Sequence, residues 1–205
     1  MLRAKQTSTI VSPLHNLFTT FAPRMLQPLD IIAHYYPADD ALRQLLLHHS
    51  QQVQERALEV CRRHPELHAD EALVSRGALL HDIGICRTHA PGIHCHGTAP
   101  YLLHGSLGAA MLRALSPSLE LEARICERHT GTGLTPDIFR RRGIEPPAGT
   151  FVPITTEELI VSYADKFFSK SHPERTRTPQ QTAHSLEGFG KECAETFLRW
   201  HAMFG

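Results

Sequence analysis

Apolar side chains recur every three or four residues over most of the chain, which is the spacing of one buried face of an α-helix. The clearest stripe follows Asp39 and Asp40, either of which is suited to cap a helix N-terminus. It consists of Leu42, Leu46, His49, Val53, Ala57 and Val60. This stripe predicts a helix of about six turns. No segment alternates convincingly between apolar and polar residues, so the sequence predicts an all-helical (all-α) fold.

Residues that favour the first turn of a helix divide the rest of the chain into further segments. They are Asp70, Ser116-Pro117, Thr135-Pro136, the capping-box pair Thr155 and Glu158, and Thr178-Pro179. The last of these helices is predicted to run unbroken to about Met203. Between Arg87 and Leu103, prolines and glycines interrupt the helical pattern and predict a long loop.

The composition is typical of a globular domain that buries a sizeable core. Of 205 residues, 41% are hydrophobic and 20% are charged, and the mean hydropathy is -0.23. The predicted organisation is an N-terminal arm, residues 1–27, followed by a single domain, residues 28–205, that ends in a helix. The basic, Ser- and Thr-containing arm also suits an organellar transit peptide. No stretch reaches the roughly 20 apolar residues that cross a bilayer, so no membrane partner is expected.

The charge balance limits the classes of binding partner, and the cysteine pattern indicates the redox compartment. Lys+Arg and Asp+Glu each number 21, so no charge excess favours extended nucleic acid or acidic membranes. The five cysteines are scattered without a CxxC pair, which predicts neither a disulfide framework nor a zinc ribbon and fits a reducing, cytoplasmic location. Phe197 and Trp200 of the final helix could pack on the core or on a second copy of the chain, which leaves a homodimer open.

Histidine is over-represented, with 15 copies against the roughly 4 to 5 that average usage would give. Polar residues interrupt the apolar faces of five predicted helices: His49, His81 with Asp82, His104, His129 and Asp165. A single inward histidine is ordinarily a core residue bonded to a carbonyl oxygen. Five helices that each bury an imidazole or a carboxylate instead predict a shared metal centre, because unpaired buried polar groups are costly.

Imidazole and carboxylate ligands without thiolate suit divalent transition metals such as Fe, Mn, Zn, Ni or Co. The ligand set exceeds what one tetrahedral zinc ion needs. His49, His81, Asp82 and Asp165 would complete one site. His104 and His129 would then hold a second ion, with Asp82 as the bridge. Two ions roughly 3.5 to 4 Å apart are typical of enzymes that cleave phosphoesters.

Several segments resemble motifs of the HD-domain metal-dependent phosphohydrolases. They are HHSQQV at 48–53, LLHDIGI at 79–85 and SYADKFF at 162–168. The sequence His-Asp-Ile-Gly at 81–84 resembles the motif of the HDIG subgroup. The resemblance implies a helical bundle with the metal site between core helices, and it implies that His49, His81, Asp82 and Asp165 bind metal. LLHGSLGAAML and ERHTGTGL resemble the segments that supply extra histidines in two-metal members, here His104 and His129.

The resemblance implies a metal-bound hydroxide that attacks a nucleotide or another small phosphoester. The same segments resemble those of bacterial HD-domain diadenosine tetraphosphate hydrolases. Enzymes of the HD-GYP group, which act on cyclic di-nucleotides, differ, because Ile85 stands where they have a lysine and no GYP tripeptide follows His129. Two other classes stay open: a di-iron HD-domain oxygenase, and a non-catalytic regulator that binds nucleotide or metal.

The candidate catalytic residues are Asp82, Lys166, Arg87 and Arg128. Asp82 would serve catalysis by bridging the two ions, whereas the other three flank the proposed ligands and suit the binding of phosphate oxygens. Three histidines of the predicted loop could protonate a leaving group, with plain exposure to solvent as the alternative. They are His89, His94 and His96.

Overall fold

The computed structural model describes residues 26–205, so the predicted arm at residues 1–27 lies almost wholly outside the described residues. The part that is described contains nine α-helices: α1 (Pro28–Tyr35), α2 (Ala41–Arg63), α3 (Glu71–Leu80), α4 (His104–Leu115), α5 (Glu120–Arg128), α6 (Pro136–Arg141), α7 (Thr156–Asp165), α8 (Pro179–Leu186) and α9 (Lys191–Phe204). The prediction of an all-helical fold is confirmed. Among residues 26–205, no helix combines the length and apolar character that crossing a membrane requires.

The predicted helix starts are present in the structure. The side chains of Asp40 and Asp70 accept hydrogen bonds from backbone N–H groups three residues further on, at the starts of α2 and α3. Thr155 and Glu158 form the capping box that opens α7. These polar side chains satisfy backbone donors that would otherwise lack a partner, and they fix where each helix begins.

His81 and Asp82 lie beyond the end of α3, not on the predicted helix. The helix ends at Leu80, and a short 3₁₀ turn at Ile83–Arg87 follows directly after His81 and Asp82. This turn packs against the backbone of α4, and a side chain at Gly84 would collide with that backbone. The His-Asp pair therefore lies in a tight turn rather than on a regular helical face.

A small sheet occupies part of the predicted loop between Arg87 and Leu103, and the prediction of a plain loop is wrong in this respect. Strand β1 (Thr88–Ala90) pairs with β2 (Cys95–His96) in antiparallel fashion and with β3 (Ala99–Pro100) in parallel fashion. Strands of two or three residues are too short to display an alternation of apolar and polar positions.

The predicted final helix is two helices, because α8 ends at Leu186 and α9 begins at Lys191. Gly190 between them has a φ of 138°, which is incompatible with a continuous helix and favours glycine. The side chains of Phe197 and Trp200 are buried in the chain's own core. These two aromatic residues thus pack on the core, not on a second copy of the chain.

Two clusters of buried apolar side chains form the core, and the inward polar residues lie where the clusters meet. In α2, Leu46 belongs to the cluster built with α1 and α4, and Val53 belongs to the cluster built with α7 and α9. His49 lies between them, one turn from each, and is 1% exposed. The fold therefore holds a buried polar centre between two apolar regions.

Candidate metal centre

The six predicted ligands converge on one place. His49 comes from α2, and His81 with Asp82 comes from the turn after α3. His104 opens α4, His129 follows α5 directly, and Asp165 ends α7. All six are buried. Helix ends supply most of these side chains, so the end positions of four helices determine the shape of the centre.

The first group contains His49, His81, Asp82 and Asp165. His49 Nε2 lies 3.0 Å from Asp165 Oδ1 and 3.1 Å from Asp82 Oδ2. His81 Nε2 lies 3.0 Å from the same Asp82 oxygen and 3.5 Å from the same Asp165 oxygen. Two imidazole nitrogens and two carboxylate oxygens thus surround one point.

The second group contains Asp82, His104 and His129. It uses the other oxygen of Asp82: Oδ1 lies 3.3 Å from His104 Nε2 and 3.5 Å from His129 Nε2. The two imidazole Nε2 atoms are 3.0 Å apart. Asp82 consequently has one carboxylate oxygen in each group.

The donor atoms are arranged as metal ligands would be. His81, His104 and His129 each direct Nδ1 at a backbone carbonyl oxygen 2.7 Å away, which places a proton on Nδ1 and turns Nε2 towards the centre, where it can bind an ion once it is unprotonated. Among the described residues, His81 Nε2 and both oxygens of Asp82 have no hydrogen-bond partner of suitable geometry, although all are buried. Two donors at right angles about an ion, each about 2.1 Å from it, lie about 3 Å apart, which matches the spacing here. These residues fit divalent ions.

Burial and the two carboxylates set the protonation of the groups. Burial lowers the pKa of His104 to about 3 and of His129 to about 4, so both imidazoles are neutral. Burial also acts on His81, but the negative charges of Asp82 and Asp165, whose oxygens lie 3.0 and 3.5 Å from its Nε2, outweigh burial and raise that pKa to about 9. The pKa of Asp82 stays well below its usual value, because His81 and Lys170 offset the cost of burial.

Two lysines follow the last ligand, and sequence reasoning singled out only the first. Lys166 Nζ donates to Asp165 Oδ2 at 2.6 Å and to the carbonyl oxygen of His129 at 2.8 Å. Lys170 Nζ lies 2.6 Å from Asp82 Oδ2, and its side chain is 12% exposed. Lys170 was missed because it lies beyond the end of α7, where no helical spacing indicates which way a side chain points.

A cavity of about 470 Å³ opens beside the centre. His104, His129 and Asp165 form part of its wall together with both lysines. The remaining lining residues are mostly aromatic, small or hydroxylic. They include Tyr101, Phe168, Phe189, Ser169, Ser171 and Arg177. This volume is in the range of sites that bind small molecules.

Five of the other candidates lie elsewhere. Arg87 is exposed and is not among the residues that line this cavity. Arg128 points away from the centre, and its Nη1 contacts both oxygens of Glu158 at 2.9 Å. The geometry does not bring either arginine to the substrate side of the centre. Of the loop histidines, none lines the cavity within residues 26–205, and all three are exposed: His89, His94 and His96.

The family model for the HD domain matches residues 46–169, a range that includes all six predicted ligands. The chain belongs to the HD-domain family of metal-dependent phosphohydrolases. Membership confirms the expected helical fold and supports the expected class of activity, a metal-dependent phosphoric ester hydrolase.

The matches to curated relatives cover about half of each relative or less. The chain is 44% identical over 96 residues to an uncharacterized protein of Methanocaldococcus jannaschii, a match that covers 47% of this chain and 48% of that protein. It is 33% identical over 173 residues to a tRNA (cytidine(56)-2'-O)-methyltransferase of Thermoplasma volcanium, which covers 84% of this chain and 44% of the relative. The chain therefore spans about half the length of these relatives or less.

Among solved structures, the HD domain of the L. monocytogenes phosphodiesterase PgpH is similar at 19% identity with a TM-score of 0.47. That match covers 87% of this chain and 99% of the other. The same PgpH domain in complex with cyclic-di-AMP matches at 20% identity with a TM-score of 0.47, over 84% of this chain and 93% of that one.

Proposed function

We propose that this HD domain hydrolyses a small phosphoester, in particular a nucleotide, at a centre that holds two divalent ions. The observation that carries the proposal is the position of Asp82, whose two oxygens face two separate groups of donor atoms. A carboxylate can bind one ion through each oxygen, whereas a neutral imidazole cannot bridge in this way. His49, His81 and Asp165 would hold one ion with Asp82, and His104 with His129 would hold the other.

Two such ions, when bound, would polarise the phosphoryl group and make a water molecule acidic enough to attack phosphorus near neutral pH. The chain's own residues prepare the site for this chemistry. The carbonyl bonds to His81, His104 and His129 fix the tautomer and orientation of each ring. Lys166 holds the outer oxygen of Asp165, so that Oδ1 of this carboxylate faces the donor atoms.

The cavity supports a small anionic substrate. Two divalent ions would add four positive charges to a centre in which two carboxylates already face two ammonium groups. A phosphate group would balance that excess charge. Aromatic side chains of Tyr101, Phe168 and Phe189 in the same wall suit the apolar body or the base of a nucleotide.

The test is metal analysis combined with a substrate screen. The purified protein would be stripped of metal and reloaded with Mn, Fe, Co, Ni or Mg, and phosphate release would be measured from nucleotides and small phosphomonoesters. We expect about two ions per chain and turnover that disappears in Asp82→Asn. His48→Ala is the matched control, because His48 is the exposed neighbour of His49.

The two alternative classes give different results in the same experiment. A di-iron oxygenase would consume oxygen on addition of its substrate and would release no phosphate. A regulator would bind nucleotide tightly without turnover with any of the five metals. Either result would contradict the proposed hydrolysis.

A further inference from the structure

The two lysines at the centre are held in different ways. Lys166 is anchored by a backbone carbonyl as well as by Asp165, so its ammonium group is fixed relative to the end of α5. Lys170 contacts Asp82 Oδ2, an atom that also belongs to the predicted first ion site. This contact is with a ligand atom, and a further polar neighbour of the ammonium group is the side chain of Tyr101 in the cavity wall, whereas Lys166 is anchored to the backbone.

We propose that Lys170 binds the phosphate of the substrate, and that an arriving metal ion releases it from Asp82 to do so. The inference rests on the proposed function, since it requires the ion sites and an anionic substrate. Lys170 would thus have two successive roles. It balances the charge of Asp82 while the ion is absent, and it binds the phosphate of the substrate once the ion is bound.

Charge explains the release. Asp82 is fully buried, and an unpaired buried carboxylate is costly, so a cation beside it is favourable in the metal-free protein. An ion bound to the same carboxylate takes over this role. The ammonium group would then lie within a few ångströms of a divalent cation, and the repulsion between like charges favours its departure.

The cavity provides space for the side chain of Lys170 once it leaves Asp82. The residue lines the 470 Å³ cavity and lies between Ser169 and Ser171, which line it too. Its flexible four-carbon side chain can turn from Asp82 towards the cavity without a change in the backbone, and a lysine ammonium group suits phosphate as a point charge. Arg177 also lines this cavity, so the cavity offers a further cation.

Chemical labelling tests the release directly. An amine-acetylating reagent would be applied to the metal-free protein, to the protein loaded with Mn²⁺, and to the loaded protein with inorganic phosphate, and acetylation of each lysine would be measured by mass spectrometry. We expect Mn²⁺ to accelerate acetylation of Lys170 several-fold, and phosphate to reverse the effect. Lys191 is exposed at the start of α9 and serves as the reference lysine that does not change.

Phosphate binding supplies the second measurement. In the Mn²⁺-loaded protein, Lys170→Met is expected to weaken the affinity for inorganic phosphate by about tenfold, since one charge-assisted hydrogen bond is lost. Lys170→Arg should retain most of the affinity, and Lys191→Met should retain all of it. The affinity for Mn²⁺ itself should rise in Lys170→Met, because the ion no longer competes with an ammonium group for Asp82.

The outcomes separate the two proposals. Unchanged or slower acetylation of Lys170 in the Mn²⁺-loaded protein, or unchanged phosphate affinity in Lys170→Met, overturns the role of Lys170 alone. If phosphate protects Lys170 from acetylation but the protein hydrolyses no phosphoester, the role of Lys170 in phosphate binding is supported and the proposed hydrolysis is overturned. A chain that binds no divalent ion overturns both.

Discussion

Two buried acidic residues of this protein have opposite surroundings. Glu158, 2% exposed, accepts hydrogen bonds from Arg128, from the backbone N–H groups of Ile154 and Thr155, and pairs with Arg124. Asp82, fully buried, faces the Nε2 atoms of four imidazoles at 3.0 to 3.5 Å without a hydrogen bond of suitable geometry. The chain surrounds the first carboxylate with hydrogen-bond donors, whereas it pairs the second with the ammonium group of Lys170, 2.6 Å from Oδ2.

The difference separates structural charge from functional charge. A buried carboxylate that the chain saturates with donors fixes local structure, and here it joins α5 to the start of α7. Asp82 instead directs one oxygen at each of two groups of imidazole nitrogens, of which the rings of His104 and His129 are neutral, and Lys170 supplies a positive charge beside Oδ2. Divalent ions would bind this carboxylate and the imidazole nitrogens together, which is the arrangement that the proposed function requires. The predictions below test whether the two carboxylates differ in this way.

The largest expected effect is that of Asp82→Asn on turnover. The amide would keep the size of the side chain but could not bridge two ions, so we expect phosphoester hydrolysis to fall by at least about a thousandfold even with excess metal. Glu158→Gln, which changes the other buried carboxylate in the same way, should keep activity within a few-fold. The assay is phosphate release under saturating metal. An Asp82→Asn protein with near-parental turnover would contradict the bridging role.

The next effect is on metal content. His104→Ala or His129→Ala should lower the bound metal from about two ions per chain to about one, because only the second donor group is broken. His49→Ala should remove the ion of the first group, whereas His48→Ala should leave both, since His48 is exposed on the same helix. Elemental analysis of the reloaded variants gives the counts. A content of one ion per chain, equal in the parent and in His104→Ala, would show that the second group is an ordinary pair of core histidines.

Much of this centre follows from the sequence, for a definite physical reason. His49 continues the apolar spacing of Leu46 and Val53, and a helix that must bury one face also buries whatever polar residue lies on it. His104, His129 and Asp165 are predicted in the same manner. The sequence motifs then indicate the family to which the helices belong.

What the sequence did not reveal depends on direction and on irregular backbone. Arg128 precedes His129 directly, but neighbours at a helix end point in different directions, so the arginine meets Glu158 and not the centre. Lys170 lies in a segment without helical periodicity, and only the folded chain brings it to Asp82. The break between α8 and α9 likewise follows from the single backbone angle of Gly190, which interrupts no apolar stripe.

A smaller effect is expected from the structural carboxylate. Glu158→Gln should lower the free energy of unfolding by about 1 to 3 kcal/mol, because Arg124 and Arg128 lose their charged partner while both remain partly exposed to solvent. Asp137→Asn breaks an exposed pair with Arg140 and should change stability by less than about 0.5 kcal/mol. Urea unfolding of the metal-free proteins measures both. Loss of bound metal in folded Glu158→Gln would mean that the two carboxylates are not independent.

The smallest effect concerns the pH dependence of that same contribution. Burial raises the pKa of Glu158, but its backbone hydrogen bonds and Arg128 outweigh burial, so the pKa in the folded protein lies below the ordinary value of 4.5. A carboxyl with a lowered pKa stabilises the fold fully above its unfolded pKa and loses that contribution as the pH falls through the folded pKa. The difference in unfolding free energy between the parent and Glu158→Gln should therefore vary by less than about 0.3 kcal/mol between pH 6 and pH 8. It should become smaller below pH 4.5. The comparison uses urea midpoints with a metal chelator present, so that titration of the centre affects both proteins equally. A difference that grows as the pH falls would mean that Glu158 is bound more tightly in its protonated form, which its donors do not allow.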